Sequence, residues 1–189
     1  MSLLPSSTTG DVVVLVGHPS SGSRTGAVGR TVADQLTDVP GARAHVVELG
    51  ELGTGPLGEG SIAVQEAEEL VRHAGLLVVA APVFKAGYPG ILKLFLDRLE
   101  PTALESVVAV PVVLTASSAH GALADLQLRV VLQAVGAMLP VPSFVLEEHH
   151  LDDLPQYVEA WRSRFGTAVG AVVRALNADQ LHADQVYAR

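Results

Sequence analysis

The chain has 189 residues, of which 49% are hydrophobic and 17% are charged, and its formal net charge at pH 7 is −8. This length and composition indicate one globular domain with its own core and exclude a largely disordered chain. The negative charge argues against bulk binding to nucleic acid, although a local nest of backbone N–H groups can still bind a phosphate. Cysteine is absent, which excludes disulfides, thiolate metal sites and thiol catalysis and fits a cytoplasmic protein. No apolar run reaches the roughly 18 residues of a membrane-spanning helix, so we expect no membrane segment.

Predicted strands and helices alternate along the chain. Residues 1–10 have no basic end and no long apolar stretch, so we expect a disordered leader there and not a signal peptide. In chain order the remaining pattern predicts strand 11–17, helix 25–38, strand 44–49, helix 61–73, strand 76–81, helix 88–99, strand 107–115, helix 120–138, a strand at about 141–146 and a helix at about 153–176. Residues 50–60 are rich in glycine and predict a flexible loop, and Ser61 is expected to cap the helix that follows. We expect the polar tail 177–189 either to be loose or to reach a partner subunit.

The alternation predicts a three-layer α/β fold. Three strand segments are nearly continuous runs of Val, Leu and Ala, which is typical of strands covered by helices on both faces. The second segment alternates and indicates an edge strand, and Pro111 is unusual inside the fourth. Short connections then favour a single domain over 11–176, with a five-stranded parallel sheet in the order 2-1-3-4-5 and helices on both faces. In that order a ligand crevice opens where strands 1 and 3 part, outside their C-terminal ends.

The segment that follows the first strand is suited to hold a phosphate. Ser23 and Thr25 offer hydroxyls, Arg24 offers a positive charge, and the helix that begins there points its first N–H groups back toward the strand end. A dianionic phosphate gains from all of these groups together. The plainer interpretation is a polar turn whose serine or threonine caps a helix. The segment is neither a Walker loop nor the G-x-G-x-x-G dinucleotide fingerprint.

The segment 81–90, after the third strand, is suited to lie against a flat ring. Phe84 and Tyr88 offer flat apolar surface, and Ala86 and Gly87 let the backbone come close to a ligand. An isoalloxazine ring is recognised largely by main-chain donors, so small residues at this place fit a flavin. The plainer interpretation is a strand-to-helix turn with a buried aromatic residue.

Small polar residues also end the fourth strand. Thr115, Ala116 and Ser117 could border the pyrimidine edge of the ring, and a plain loop is an equal alternative. His120 either stands near a nicotinamide or simply begins the next helix.

The histidines near the fifth strand are candidate metal ligands. His149 and His150, with Asp152 and Asp153, form the best cluster, but adjacent histidines usually diverge and no H-E-x-x-H helix is present. We therefore expect no metal site. A serine hydrolase is not expected either, because the G-x-S-x-G elbow is missing.

At this point the sequence resembles a known family. Residues 81–97 are similar to the signature A-P-V-Y-K-A-S-Y-x-G-x-L-K-x-x-L-D of the NAD(P)H-dependent FMN reductases of the alkanesulfonate and methanesulfonate utilisation type. The resemblance covers the chain from Val12 to about Phe165. It implies a flavodoxin-like fold, bound FMN, and hydride transfer from NADPH or NADH to FMN, with reduced flavin often passed to a separate monooxygenase.

The resemblance also implies site residues. Ser23, Arg24 and Thr25 match the family's phosphate-binding S-R-S. The turn beside the ring is matched by Pro82, Val83, Phe84 and Lys85, and Ala86 and Gly87 continue it. No side chain need act as an acid or a base, so no catalytic residue is named.

The chain departs from the family pattern at three places. His18 and Ser20 replace a serine and an arginine of the usual G-S-P-R loop, where they are also candidates for cofactor binding. Thr115-Ala116 replaces a glycine pair that is common after the fourth strand. Leu126 falls near the place where the alkanesulfonate branch inserts a tyrosine that affects oligomer packing and flavin exchange.

The sequence therefore predicts an FMN reductase. A quinone or azo-dye reductase of the same fold is the nearest alternative, and a flavodoxin-type electron carrier or flavin-binding partner protein is the alternative that is not an enzyme. We expect a homodimer or homotetramer, since the helices 88–99 and 120–138 carry more apolar surface than one sheet face covers. The sequence does not distinguish NADH from NADPH.

Overall fold

The computed structural model of the protein describes residues 11–37, 44–52 and 61–187, with side chains up to residue 178. Five strands form one sheet in the order β2-β1-β3-β4-β5, and every neighbouring pair is parallel. The strands are β1 Val12–Val16, β2 Ala44–Glu48, β3 Leu76–Pro82, β4 Val108–Thr115 and β5 Phe144–Glu147. The predicted fold class and strand order are confirmed, and the alternating second strand lies at an edge as expected.

Helices cover both faces of the sheet. They are α1 Arg24–Leu36, α2 Leu49–Leu52, α3 Ile62–Arg72, α4 Gly90–Leu96, α5 Ser118–Ala134 and α6 Leu154–Tyr187, with a 3₁₀ turn at Glu148–Asp153. Apolar side chains of α3, α4 and α5 pack on one face in one core cluster, and those of α1 and α6 pack on the other face in a second. None of the helices in the described part of the chain is both long and apolar enough to cross a bilayer.

Two predicted segments, the loop over 50–60 and the C-terminal helix, differ from the structure. The short helix Leu49–Leu52 lies where a flexible loop was expected over 50–60, and the rest of that loop, 53–60, is outside the described residues. Leu49 is fully buried, which explains why the chain stays on the core after β2. Helix α6 does not end at 176 but runs to Tyr187, so most of the tail 177–189, which was expected either to be loose or to reach a partner subunit, is helical. The predicted leader 1–10 also lies outside the described residues.

Ser61 is at the N-cap position of α3, but its side chain makes no capping hydrogen bond. The predicted N-cap position is therefore correct, but the expected capping hydrogen bond of the serine side chain is not made.

Pro111 lies within the central strand β4 without breaking it. The backbone N–H of Ala109 donates to the carbonyl of Met138 on the β5 side. Because alternate residues of a strand face the same side, the nitrogen of Pro111 also faces that side. Pairing with β5 begins only at Val112, so the missing N–H of Pro111 removes no bond of the β4–β5 ladder.

Close contact between α1 and the sheet depends on Gly29. A Cβ at this position would lie 2.7 Å from Cβ of Ala80 and 3.1 Å from Cγ1 of Val14. Neither neighbour is a flexible side-chain end, so α1 would have to move away from the sheet to make room.

We predict that Gly29→Ala lowers the free energy of unfolding by about 1–2 kcal/mol, since overpacking outweighs the better helix propensity of alanine. Denaturant unfolding measures the change. Gly170→Ala in α6 is the matched control, because a Cβ there meets only the guanidinium end of Arg174. It is expected to leave stability equal or higher, and equal stability in both variants would contradict the prediction.

Candidate active site

The loops after β1, β3 and β4 leave the sheet side by side at its C-terminal edge. The ladder continues just beyond the strand ends, since Gly17 N–H donates to the carbonyl of Ala80 at 2.8 Å and Val83 N–H donates to that of Leu114 at 3.0 Å. A Cβ at Gly17 would lie 2.8 Å from Leu92 of α4, so this position also needs a glycine. These contacts bring the first two predicted binding segments together.

The β1 loop (residues 17–23) ends in a capped helix. Ser23 is the N-cap of α1, and its hydroxyl oxygen accepts the N–H of Gly26 at 3.1 Å. The hydroxyl proton of Ser23 remains available for a ligand. Thr25 is buried, and no partner for its hydroxyl is found in the described part of the chain.

The backbone donors of the β1 loop fall into two groups. Ser20 N–H donates to Nδ1 of His18 at 3.0 Å, and Gly22 N–H donates to a carboxylate oxygen of Glu48 at 2.6 Å. Within the described residues, no partner is found for the N–H groups of Ser21 and Ser23 in the loop or for those of Arg24 and Thr25 in the first turn of α1. Four unpaired N–H groups at a helix N-terminus are suited to bind an anion.

Arg24 forms an ion pair at the protein surface. Its guanidinium donates to Glu148 of the 3₁₀ turn at 2.8 Å, and the arginine side chain is 67% exposed. The positive charge is therefore shared with a carboxylate and does not lie free beside the loop.

Glu48 is a site residue that the sequence analysis missed. It ends β2, its side chain is only 10% exposed, and besides Gly22 it accepts a hydrogen bond from Arg30 at 2.8 Å. Burial alone would raise the pKa of Glu48, but the hydrogen bonds from Arg30 and Gly22 and the charge of Arg30 hold the pKa below its ordinary value. The carboxylate is therefore ionised at neutral pH. A polar residue at the C-terminal end of a strand next to the expected crevice was the signal available in the sequence.

The β3 loop (residues 83–89) contains a tight turn. Phe84 and Gly87 exchange backbone hydrogen bonds at 2.8 and 3.2 Å, and the two residues between them are left-handed, with φ of 54° at Lys85 and 63° at Ala86. Two positive φ values are typical of a type I′ turn, which ordinarily uses Asn and Gly. Such strain in residues with side chains is concentrated at functional sites. Pro82, predicted to lie in the turn, is instead the last residue of β3 and pairs with Leu114.

The two loops touch across the crevice. The ring of His18 meets the ring of Phe84 edge-to-face, with 5.9 Å between centroids, and Phe84 is 46% exposed. Gln127 of α5 lies over the turn, because a Cβ at Gly87 would be 2.9 Å from its Oε1. The pKa of Tyr88 is raised by burial, so the phenol stays neutral at physiological pH.

The end of β4 contributes less than expected. The hydroxyl of Thr115 donates to the carbonyl of Ser117 at 2.8 Å and accepts its N–H at 3.1 Å, and Thr115 is 1% exposed. This hydroxyl is used inside the protein, which leaves Ala116 and the Ser117 side chain at the crevice. His120 is exposed in the first turn of α5.

The histidine pair after β5 forms an aromatic stack. Ring centroids are 3.9 Å apart for His149 and His150, and 4.7 Å apart for His150 and Tyr157. Among the side chains that the structure describes, in residues 11–37, 44–52 and 61–178, no group of three or more His, Cys, Asp or Glu is arranged to hold a metal ion.

Comparison with known proteins identifies relatives of this fold and site. A family model described as NADPH-dependent FMN reductase matches residues 11–152. The chain is 34% identical over 156 residues to the NADH-dependent FMN reductase SfnE of Pseudomonas putida, covering 77% of this chain and 82% of that protein. It is 33% identical over 123 residues to the FMN reductase (NADPH) of Escherichia coli K12, covering 62% of this chain and 63% of that protein.

Solved structures agree with these sequence relatives. The apo form of an NADH:FMN oxidoreductase, EMOB, superimposes with a TM-score of 0.69 at 27% identity, covering 82% of this chain and 90% of that chain. A WrbA-like flavodoxin from Agrobacterium tumefaciens has a TM-score of 0.64 at 17% identity, covering 89% of this chain and 99% of that chain, and shows the flavodoxin-like fold alone. With most of its described residues matched by the family model, the chain belongs to the NADPH-dependent FMN reductase family.

Proposed function

We propose that this protein reduces FMN with NADH or NADPH and passes the reduced flavin to a separate flavin-dependent monooxygenase in the cytoplasm. Its family membership makes it an oxidoreductase that uses FMN and a reduced nicotinamide. The observation that carries the proposal is the meeting of two loops at one crevice, joined by the contact between His18 and Phe84. One loop offers unpaired backbone donors for a phosphate, and the other offers a tight turn for a ring.

The phosphate of FMN would be held at the start of α1. The unpaired N–H groups from Ser21 to Thr25 supply donors, and the hydroxyls of Ser23 and Thr25 supply two more. Backbone N–H groups at a helix N-terminus bind a dianion well because the partial positive charge of the helix dipole is concentrated there. The donor set of this chain therefore fits a phosphate monoester.

The ring would be held by the main chain of Pro82 to Gly87. In the described part of the chain no partner is found for the N–H groups of Lys85 and Ala86 at the tip of the turn. They are suited to the carbonyl oxygens of the flavin pyrimidine, and Ala116 and Ser117 border the same end. N–H donors at this edge favour a negatively charged reduced ring.

The protein contributes orientation and electrostatics to the reaction. FMN, when bound, accepts the hydride and carries it to the next acceptor. Tyr88 has a raised pKa and keeps its proton, so it is poorly suited to exchange one at neutral pH. The residues of the two loops act by holding the ring and the nicotinamide in a productive arrangement.

The monooxygenase part of the proposal is supported by the ring segment. Residues 81–97 resemble the signature of the sulfonate-utilisation reductases, whose product is reduced flavin. An open crevice with Phe84 half exposed is also consistent with a flavin that exchanges with solution.

We predict that the purified protein oxidises NADH or NADPH only when FMN is added, and that FMN raises its melting temperature. Absorbance at 340 nm with each nicotinamide, with and without FMN, measures the activity. Turnover of a benzoquinone that needs no added flavin would favour a quinone reductase. Tight FMN binding without any NAD(P)H oxidation would favour an electron carrier.

We predict that Thr25→Val weakens FMN binding by about 10- to 100-fold, because a hydrogen bond to a charged phosphate is worth about 1.5–3 kcal/mol and every 1.4 kcal/mol is tenfold. The change keeps the shape of the buried side chain and removes only the hydroxyl. Fluorescence titration with FMN and with riboflavin, which lacks the phosphate, measures it. Thr31→Val is the matched control in the same helix, since the Thr31 hydroxyl donates to the carbonyl of Ala27. An equal loss of affinity for riboflavin would contradict a role of Thr25 in binding the phosphate.

We also propose that the protein forms a homodimer or homotetramer through α5. Leu123, Leu126 and Val130 are 49%, 61% and 57% exposed and lie on one face of the helix. A contiguous exposed apolar stripe of this kind commonly marks an association surface.

We predict that Leu126→Glu lowers the molar mass in solution to that of a smaller assembly, because the carboxylate would be buried without a partner. Light scattering coupled to size-exclusion chromatography measures the mass. Ile62→Glu is the control, since Ile62 is 72% exposed on α3 and away from the stripe. An unchanged mass in Leu126→Glu, or a monomeric wild type, would contradict the proposed surface.

A further inference from the structure

We propose that Glu48 is a positioning residue for the flavin phosphate: its carboxylate fixes the shape of the β1 loop from the end of β2. The inference rests on the proposed function, because it concerns the site where the phosphate of FMN would lie. Glu48 would act through Gly22 and not by touching the ligand.

Glu48 attaches the loop to the rest of the fold. Among the described residues, the bond from Gly22 N–H to Glu48 at 2.6 Å is the only hydrogen bond that joins residues 18–22 to another segment. The bond between His18 and Ser20 lies within the loop itself. Gly50 adds a packing contact, since a Cβ there would lie 2.8 Å from the backbone of Ser20 and 2.9 Å from that of Pro19. The loop thus rests on the β2–α2 junction and depends on Glu48 for its polar attachment.

The same bond decides which donors remain for the phosphate. Gly22 has a φ of 64°, so its peptide is held in a left-handed conformation with the N–H turned toward Glu48. Ser20 is turned inward in the same way by His18. The N–H groups of Ser21 and Ser23, on either side of Gly22, are left without a partner and continue into the free donors of α1. Fixing Gly22 therefore fixes the direction of the neighbouring donors.

The charge of Glu48 does not work against this role. Arg30 of α1 donates to the second carboxylate oxygen at 2.8 Å, and a Cβ at Gly26 would lie 3.4 Å from both the carboxylate and the guanidinium. The ion pair lies beside the first turn of α1 and is neutral overall, so it offsets the repulsion that a lone carboxylate would exert on a dianion. Because the carboxylate is well buried and doubly hydrogen-bonded, it has little freedom to leave Gly22.

The test compares FMN with riboflavin, which share the ring and differ in the phosphate. The full chain is titrated with each flavin, by fluorescence quenching, for the wild type, Glu48→Ala, Glu48→Gln and Glu51→Ala. We expect Glu48→Ala to raise the Kd for FMN about tenfold, because the inward amide loses its acceptor and the loop relaxes, while the Kd for riboflavin stays the same. Glu48→Gln keeps one acceptor oxygen for Gly22 but turns its NH2 group toward the Arg30 donor, so it should restore part of the FMN affinity. Glu51→Ala, at an exposed neighbouring glutamate, should match the wild type.

A second variant tests the same hydrogen bond at its donor, Gly22. Gly22→Ala meets no atom within 4 Å but disfavours the left-handed conformation, so it should raise the Kd for FMN several-fold and leave riboflavin unchanged. This variant lies in an exposed loop and decides the question even if Glu48→Ala does not fold.

Three outcomes would overturn the inference. They are an unchanged ratio of FMN to riboflavin affinity in Glu48→Ala, the same unchanged ratio in Gly22→Ala, and an equal loss of FMN affinity in Glu48→Gln and Glu48→Ala. The last would assign the effect to charge balance with Arg30 and not to the bond with Gly22. A wild type that binds neither flavin would overturn the proposed function itself, which separates the two failures.

Discussion

The parallel register of β1, β3 and β4 is the constraint on which the site depends. Val16, Ala80 and Val112 lie opposite one another, so the three strands end at one edge and release their loops together. The direction of α1 follows from the same sheet, because Gly29 lets the helix lie directly on Ala80 and Val14. The N-terminus of α1 is thereby aimed at the crevice, where its unpaired donors can meet an anion. The positions of the loops and of the α1 N-terminus at this edge are thus set by apolar packing deeper in the sheet.

The β3 loop offers the proposed ring site main-chain donors and no dedicated polar side chain. Lys85 and Ala86 both occupy left-handed conformations, which cost about 1–2 kcal/mol per residue for L-amino acids other than glycine. The bonds between Phe84 and Gly87 hold the turn closed, and Gln127 of α5 covers it from outside. The turn leaves two adjacent N–H groups at its tip, those of Lys85 and Ala86. A core cluster of about two dozen buried side chains, on the sheet face covered by α3, α4 and α5, holds the turn in this strained conformation.

Much of the fold could be predicted from the sequence, because buried parallel strands leave long apolar runs and the order 2-1-3-4-5 follows from their alternation with helices. The positions of the phosphate and ring segments followed from the same reasoning. The place of Glu48 at the end of β2 was visible in the sequence, but its bond to Gly22 was not, since that contact depends on the register between β2 and β1. The pairing of Arg24 with Glu148 joins residues 124 positions apart, and the hydroxyl of Thr115 turned out to be used within its own loop. Periodicity and composition do not predict contacts between residues far apart in the sequence, and they do not predict hydrogen bonds made by single side chains.

Two carboxylates, those of Glu148 and Glu48, lie beside the proposed phosphate position. They differ in burial, and we therefore assign them different roles. Glu148 pairs with Arg24 at the surface, with 38% and 67% of the two side chains exposed, and exposed ion pairs contribute only about 0–1 kcal/mol. A dianion arriving at the loop can therefore draw Arg24 away from Glu148 at little cost. Glu48 is nine-tenths buried and accepts hydrogen bonds from both Gly22 and Arg30, and a hydrogen bond to a charged group contributes about 1.5–3 kcal/mol. The proposed site thus combines a loosely held surface cation with a carboxylate that attaches the β1 loop to β2, and the proposed exchange of flavin need disturb only the cation.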